Sequence, residues 1–211
     1  MRAVTIVDQT LQLVEHPDPD PGPGEVVLAV RAAGLNPADY PVDGLNALRD
    51  SYPAPPGSPA DIPGLEAAGE VLAVGAGTTR FAVGDRVMAL VGGGGQAERL
   101  AVHESCLLAV PDEVAWEAAG GFCEVFVTAH DALFTQAGLA MGERVCIHGA
   151  AGGVGTAAVQ LARAAGATVV ATVRDPARHD AVRALGADVV VTPEGFGEHG
   201  PFDVVLELLG G

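Results

Sequence analysis

The sequence contains no lysine, and all 11 basic residues among its 211 are arginine. That absence removes Schiff-base chemistry, a phosphate loop ending in Gly-Lys-Ser/Thr, and a Tyr-x-x-x-Lys catalytic pair. Cysteine is scarce too. Cys106, Cys123 and Cys146 are odd in number and widely spaced, so neither a disulfide framework nor a zinc motif follows from them. Small buried or half-buried thiols are expected instead. Positive charge is in deficit, with a formal net charge of −16, which argues against nucleic acid or an anionic membrane as a partner. No apolar run has the length of a membrane span. Met1-Arg2-Ala3-Val4 leads straight into an alternating strand without signal-peptide character, so a cytoplasmic location is expected.

What is present is apolar mass and turn formers. Apolar residues make up 49% of the chain, with 29 glycines and 15 prolines, the composition of a globular α/β protein. The length suffices for a core in one or two domains. There is no internal repeat, and the only low-complexity run is the glycine stretch 92–95.

Residues 1–112 read as β-rich. Short apolar runs at 3–7, 11–14, 26–32, 71–74, 86–91 and 107–110 are separated by Pro, Gly and Asp. Val26, Leu28 and Val30 share one strand face. Residues 50–63 hold five prolines and read as a long loop, of a length that is often functional in compact domains. From 113 the pattern changes. Ala118, Ala119, Phe122, Phe126, Ala129 and Leu133 recur at helical spacing within 113–137. Strands at 144–148, 168–173, 189–192 and 202–209 then alternate with helices at 153–166 and 176–186, as in a doubly wound parallel sheet.

The segment Val145-Cys146-Ile147-His148-Gly149-Ala150-Ala151-Gly152-Gly153-Val154-Gly155 is a buried strand entering a glycine turn that opens a helix. A pyrophosphate must approach backbone N–H groups at a helix N-terminus, and a Cβ on the turn would block it. Gly155 would let the helix pack closely, and Ala150 stands where the strict G-x-G-x-x-G pattern has its first glycine. The residue reading the adenosine ribose is expected about twenty positions on. Arg174 lies there, 174 − 155 = 19 residues beyond Gly155, and Arg178 follows a helical turn later. Arginine suits a 2′-phosphate and so NADPH. Asp175 keeps NADH in play as the less favoured cofactor, and solvated surface charges are the other use for both arginines.

These residues and several others together resemble a known family. Ala33-Gly34-Leu35-Asn36-Pro37-Ala38-Asp39, Ile62-Pro63-Gly64-Leu65-Glu66-Ala67-Ala68-Gly69, Gly84-Asp85-Arg86-Val87, Val127-Thr128-Ala129, the turn 150–155 and Leu185-Gly186-Ala187-Asp188 follow in order along the chain. They resemble zinc-free, ζ-crystallin-like quinone oxidoreductases of the medium-chain dehydrogenase/reductase superfamily. The resemblance implies an α/β protein with a GroES-like β-rich domain over 1–112 and a partial Rossmann domain over 113–211. It also implies no zinc: Asn36 and Leu65 stand where zinc-dependent relatives carry Cys and His, and no cysteine lobe follows the G-D-R-V turn. His103, His130, His148 and His179 show no ligand spacing.

The same resemblance implies an NADPH-dependent oxidoreductase that transfers hydride to a quinone or α,β-unsaturated carbonyl. Asn36 would bond the ribose or carboxamide end of the cofactor, and Thr128 would orient the carboxamide. Tyr40 is the substrate-facing candidate, although the family tyrosine falls one position later, at Pro41 here. Asp39 is expected to be a helix N-cap or an ion-pair member. Gly149, Ala150, Ala151, Gly152, Gly153, Val154 and Gly155, with Arg174 and Arg178, complete the cofactor residues. Two other readings are an enoyl reductase of polyketide or fatty-acid type and a non-catalytic nucleotide-binding protein. Because residues 202–209 resemble a fourth Rossmann strand with none beyond it, the chain is expected to be C-terminally incomplete. It would then associate with itself or a partner through that sheet edge, and bind cofactor and turn over weakly alone.

Overall fold

The structure, a computed structural model, describes residues 1–7, 10–39 and 62–209. The chain divides into two compact units, Met1–Glu124 and Val125–Gly211.

In the first unit, β1 (Arg2–Val7) and β2 (Thr10–Glu15) pair antiparallel. A second, five-stranded antiparallel sheet holds β3 (Glu25–Ala33), β4 (Glu66–Val74), β5 (Arg86–Leu90), β6 (Arg99–His103) and β7 (Leu107–Ala109), in the order β6-β3-β4-β5-β7. Alternation builds its core. Val26, Leu28, Val71, Val87, Leu100, Val102 and Leu107 are buried together. Strand β6 is absent from the sequence expectation because it places only Leu100 and Val102 inward, between exposed Arg99 and His103. Strand β4 starts five residues before the expected run, at Glu66. Its first half is Ala and Gly, which have little strand propensity but suit close approach to β3. A Cβ on Gly69 would collide with the Ala29 carbonyl.

The helix expected over 113–137 is broken. Helix α1 (Trp116–Gly120) and helix α2 (Cys123–His130) flank Gly121 and Phe122, and a π-helical turn (Asp131–Gln136) follows. At Gly120, just before the break, the backbone lies so close to β3 that a Cβ would come within 2.6 Å of the Ala32 Cβ. Packing also moves the boundary, expected near 112, to 124/125. Ala119 and Cys123 are buried in one cluster with Ala68, Met88 and Val110. Arg86 fastens this connector, donating to the Asp112 and Val114 carbonyls at 2.9 and 2.7 Å and lying 4.3 Å over the Trp116 ring. The G-D-R-V segment is therefore a fastening as well as a turn.

The second unit alternates β8 (Arg144–Ile147), α3 (Gly153–Ala164), β9 (Thr168–Thr172), α4 (His179–Ala184, entered through a 3-10 turn, Pro176–Arg178), β10 (Val189–Val191) and β11 (Val204–Leu206). All four strands are parallel, in the order β10-β9-β8-β11. Val145, Ile147, Val169 and Ala171 face a core shared with Ala157, Ala158 and Ala162 of α3, the small side chains letting helix and sheet approach. The last strand is shorter than the 202–209 expected, and Val205 in it is half exposed. Among the described residues no helix is long and apolar enough to cross a membrane.

Candidate functional site

Strand β8 ends at Ile147, and the chain turns through residues 148–152 into α3. His148 N–H donates to the Leu206 carbonyl at 2.9 Å, and Ala150 N–H to the Thr172 carbonyl at 3.2 Å, so the turn is pinned to both neighbouring strands. The left-handed backbone falls on Gly149 (φ +69°), one residue before the first glycine of the strict pattern. Ala150 is fully buried and tolerates its Cβ because no special backbone angle is asked of it. Gly155 is the position with no room. A Cβ there would run into the Gly149 carbonyl and come within 2.7 Å of Ala150 Cα. Gly152 (φ −83°, ψ 172°) precedes the helix and has only the Gly149 carbonyl near its missing Cβ. The first N–H groups of α3 have no partner inside the helix, and they carry the positive end of its dipole.

Beside this turn lies a cavity of about 330 Å³, lined among others by Gly149, Gly152, Thr172, Arg174, Arg178 and Pro193. Its floor is braced from beneath. Thr172 is buried, and its Oγ1 lies 2.9 Å from His148 Nδ1, while the imidazole meets Phe196 edge-on at 4.7 Å. Both arginines on the rim are exposed. Arg178 Nε is 3.7 Å from Asp175 Oδ2. Asp175 also accepts the Ala177 N–H at 3.0 Å, so it caps the turn into α4. His179 fixes the same loop through a 2.9 Å bond between its Nε2 and the Val173 carbonyl. Neither bracing histidine carries a sequence signal, since each acts through tertiary contact. Thr128 lies on α2 and is exposed.

The other candidate residues lie in the first unit. Asn36 is half-buried and precedes a short 3-10 turn, Pro37–Asp39. Its backbone N–H donates to Asp39 Oδ2 at 2.7 Å, and its Nδ2 to Glu66 Oε1 at 3.0 Å. The expectation for Asp39 needs correction. It occupies the third position of the turn and reaches back to the residue before it, half of a capping box, rather than serving as the N-cap. It also accepts the Leu65 N–H at 2.9 Å, and no ion pair of the described residues includes it. Burial pushes its pKa up against the pull of those backbone donors. Glu66, 2% exposed, accepts the Glu124 N–H through its second oxygen at 2.9 Å. In the sequence, only its place in the motif 62–69 marks it. Tyr40, and most of the proline-rich loop, lie outside the described residues.

The glycine run 92–95 belongs to this cluster. Gly94, Gly95 and Gln96 donate backbone N–H groups to Ile62, Gly64 and Pro63 at 2.8–3.0 Å. A Cβ on Gly95 would come within 2.9 Å of the Glu66 and Gly64 carbonyl oxygens. Two stretches of main chain run side by side here with no space for side chains.

Residues 22–137 match the family model for the alcohol dehydrogenase GroES-like domain, and residues 153–211 that for zinc-binding dehydrogenase. The chain is 45% identical over 194 residues to the polyketide synthase GfsB of Streptomyces halstedii, covering 89% of the chain and 3% of that protein. It superposes on the quinone oxidoreductase of Thermus thermophilus, solved also in complex with NADPH, with a TM-score of 0.81. The two are 38% identical, over all of this chain and 68% of that one. The CurK enoyl reductase gives a TM-score of 0.83 at 30% identity, over all of this chain and 67% of that one. The chain spans about half the length of other curated relatives, such as the rat and human VAT-1 homologs.

Zinc, which one model's name implies, has no ligand set among the described residues: no three of His, Cys, Asp and Glu gather there. Cys123 and Cys146 are buried, with thiol pKa values pushed up to about 12 and about 11, chiefly by burial and then by Glu66 and Glu207 respectively. Asn36 is already engaged with Glu66, and Leu65 offers no donor atom in its side chain.

Proposed function

The chain belongs to the medium-chain dehydrogenase/reductase superfamily of oxidoreductases, and on that premise we propose that it binds NADPH, in preference to NADH, for reduction of a conjugated carbonyl compound. The observation that carries the reading is the turn at 149–155. Gly149, Ala151 and Gly152 of the turn line a cavity together with Arg174 and Arg178. A pyrophosphate fits the helix end, and a 2′-phosphate fits the two guanidinium groups.

When bound, the nicotinamide ring supplies the hydride. The chain's own residues bind and orient. Gly155 lets α3 pack against the turn, Gly149 supplies its left-handed backbone, and Thr172 and His148 hold the turn in register. Asn36 and Thr128, by family resemblance, hold the ribose and carboxamide end. Tyr40 is the substrate-facing candidate. Quinones and enoyl thioesters are both vinylogous carbonyls, and an oxyanion developing on either needs only hydrogen bonding or a water-borne proton. The quinone is the first reading, supported by the NADPH-binding Thermus relative. An enoyl thioester is the second, supported by the higher identity to the polyketide synthase, 45% against 38%.

Steady-state NADPH oxidation with a quinone panel and a crotonyl thioester separates the two. Turnover of one class alone assigns the substrate. Tight NADPH binding without turnover of either would leave a nucleotide-binding role only, and no binding would end the proposal. Elemental analysis of chelator-free protein is expected to find no zinc; about one zinc per chain would overturn the ligand argument.

A further inference from the structure

We propose that Glu66 is a positioning residue for Asn36, and that it fixes which atom of the Asn36 amide is offered to a ligand. The inference rests on the reading above only for the ligand's identity. A side-chain amide presents a donor on one edge and an acceptor on the other, and nothing in its shape prevents it from turning over. Asn36 is not free to do so. Its backbone is held by Asp39 at 2.7 Å, and its Nδ2 faces Glu66 Oε1 at 3.0 Å. Both Glu66 carboxyl oxygens face N–H donors and accept from them. The amide nitrogen must therefore point at Glu66, and Asn36 Oδ1 is turned away from it.

The room for this contact is built into the chain. Gly34 stands against the Glu66 carboxylate, where a Cβ would collide with Oε1. The second oxygen is taken by the Glu124 N–H at 2.9 Å. No ion pair of the described residues includes Glu66, which is 2% exposed. A buried carboxylate without a cation is costly, and a neutral glutamine would cap the Glu124 N–H as well. What glutamine cannot do is accept on both oxygens. The charge is explained by the need to hold two donors at once, one of them the amide of Asn36. The matching ligand group is an O–H or N–H donor, such as a ribose hydroxyl or a carboxamide.

The test begins without ligand. Side-chain amide protons of Asn36 in the isotopically labelled protein should include one shifted downfield and slow to exchange with solvent. Glu66→Gln should abolish that signature while most backbone resonances stay in place. An Asn36 amide that exchanges freely in the unaltered protein overturns the proposal, whether or not the variant folds. NADPH titration supplies the second arm. Asn36→Ala and Glu66→Gln should each weaken binding about tenfold, the scale of one lost hydrogen bond, and the double variant no further than the larger single change. Additive losses would mean that Glu66 acts independently, as a structural cap alone, and would also overturn it. If the unaltered protein binds no NADPH, the cofactor assignment fails, while the amide spectrum still decides the Glu66–Asn36 relation.

Discussion

Around Asn36, in the first unit, the candidate residues are held by side chains reaching across the sequence: Asp39 to Leu65, Glu66 to Asn36 and to Glu124. Around Gly149, in the second unit, the candidate surface is main chain, shaped by where side chains are missing. The first arrangement depends on which side-chain atoms donate and accept, and the second on where a Cβ has no room. That difference separates a motif that determines shape from one that determines chemistry.

The largest effect expected is on the side without room. Gly155→Ala places a Cβ against the Gly149 carbonyl and Ala150 Cα, and should abolish dinucleotide binding and cost about 1–3 kcal/mol of stability, as overpacking does. A variant with unaltered NADPH titration and unaltered denaturation midpoint would remove the case for a closely packed turn. Next comes thiol labelling, with Cys123 reporting on the first unit and Cys146 on the second. Both are buried, and their raised pKa values leave labelling to opening of the structure. NADPH at 100 times its dissociation constant should slow Cys146 labelling by about 100-fold, equivalent to ~2.7 kcal/mol. Cys123 should be protected less. Equal protection of the two would break the comparison, because both units would then respond as one.

Two smaller effects sharpen it. Arg174→Ala should weaken NADPH by about 1.5–3 kcal/mol and leave NADH nearly unchanged, read by parallel titrations. Equal loss for both cofactors would remove the 2′-phosphate from the rim. The smallest effect concerns Asp39, whose folded pKa lies above the ordinary carboxylate value of 3.8 because of burial. Between those two values the folded chain holds more protons than the unfolded one, so its stability falls as pH rises through the window. Asp39→Ala removes that slope. The stability of the unaltered protein relative to the variant should therefore shrink with rising pH, and a difference that grows would contradict the assignment.

How far each region was legible follows from the same contrast. The order of the second unit's strands and helices, and the turn at 149–155, can be read from sequence because period and glycine placement are local properties. The close approach at Gly120 cannot, since its partner is Ala32, almost ninety residues earlier. Strand β6 escapes because two inward residues make too short a pattern. The roles of Asp39 and Glu66 depend on partners 26 and 58 residues away, which no window along the chain contains. The run 92–95 reads as low complexity, yet it is where two main-chain segments must touch.

Strand β11 has a kinetic consequence. Its register sets Val204 against Val145, a separation of 204 − 145 = 59 residues, whereas β8 and β9 pair Arg144 with Thr168 across 168 − 144 = 24. Closing the longer loop costs about 0.8 kcal/mol more in chain entropy, so in an assembling chain β11 docks after its neighbours. Yet the Leu206 carbonyl on that strand receives the N–H of His148, the residue that leads into the turn. The glycine turn thus stays incomplete until the least local strand pairing of its sheet, among the described residues, has formed. On the proposed reading, a bound dinucleotide would draw the folding equilibrium toward that late step, and its binding would be coupled to the docking of a strand that it need not touch.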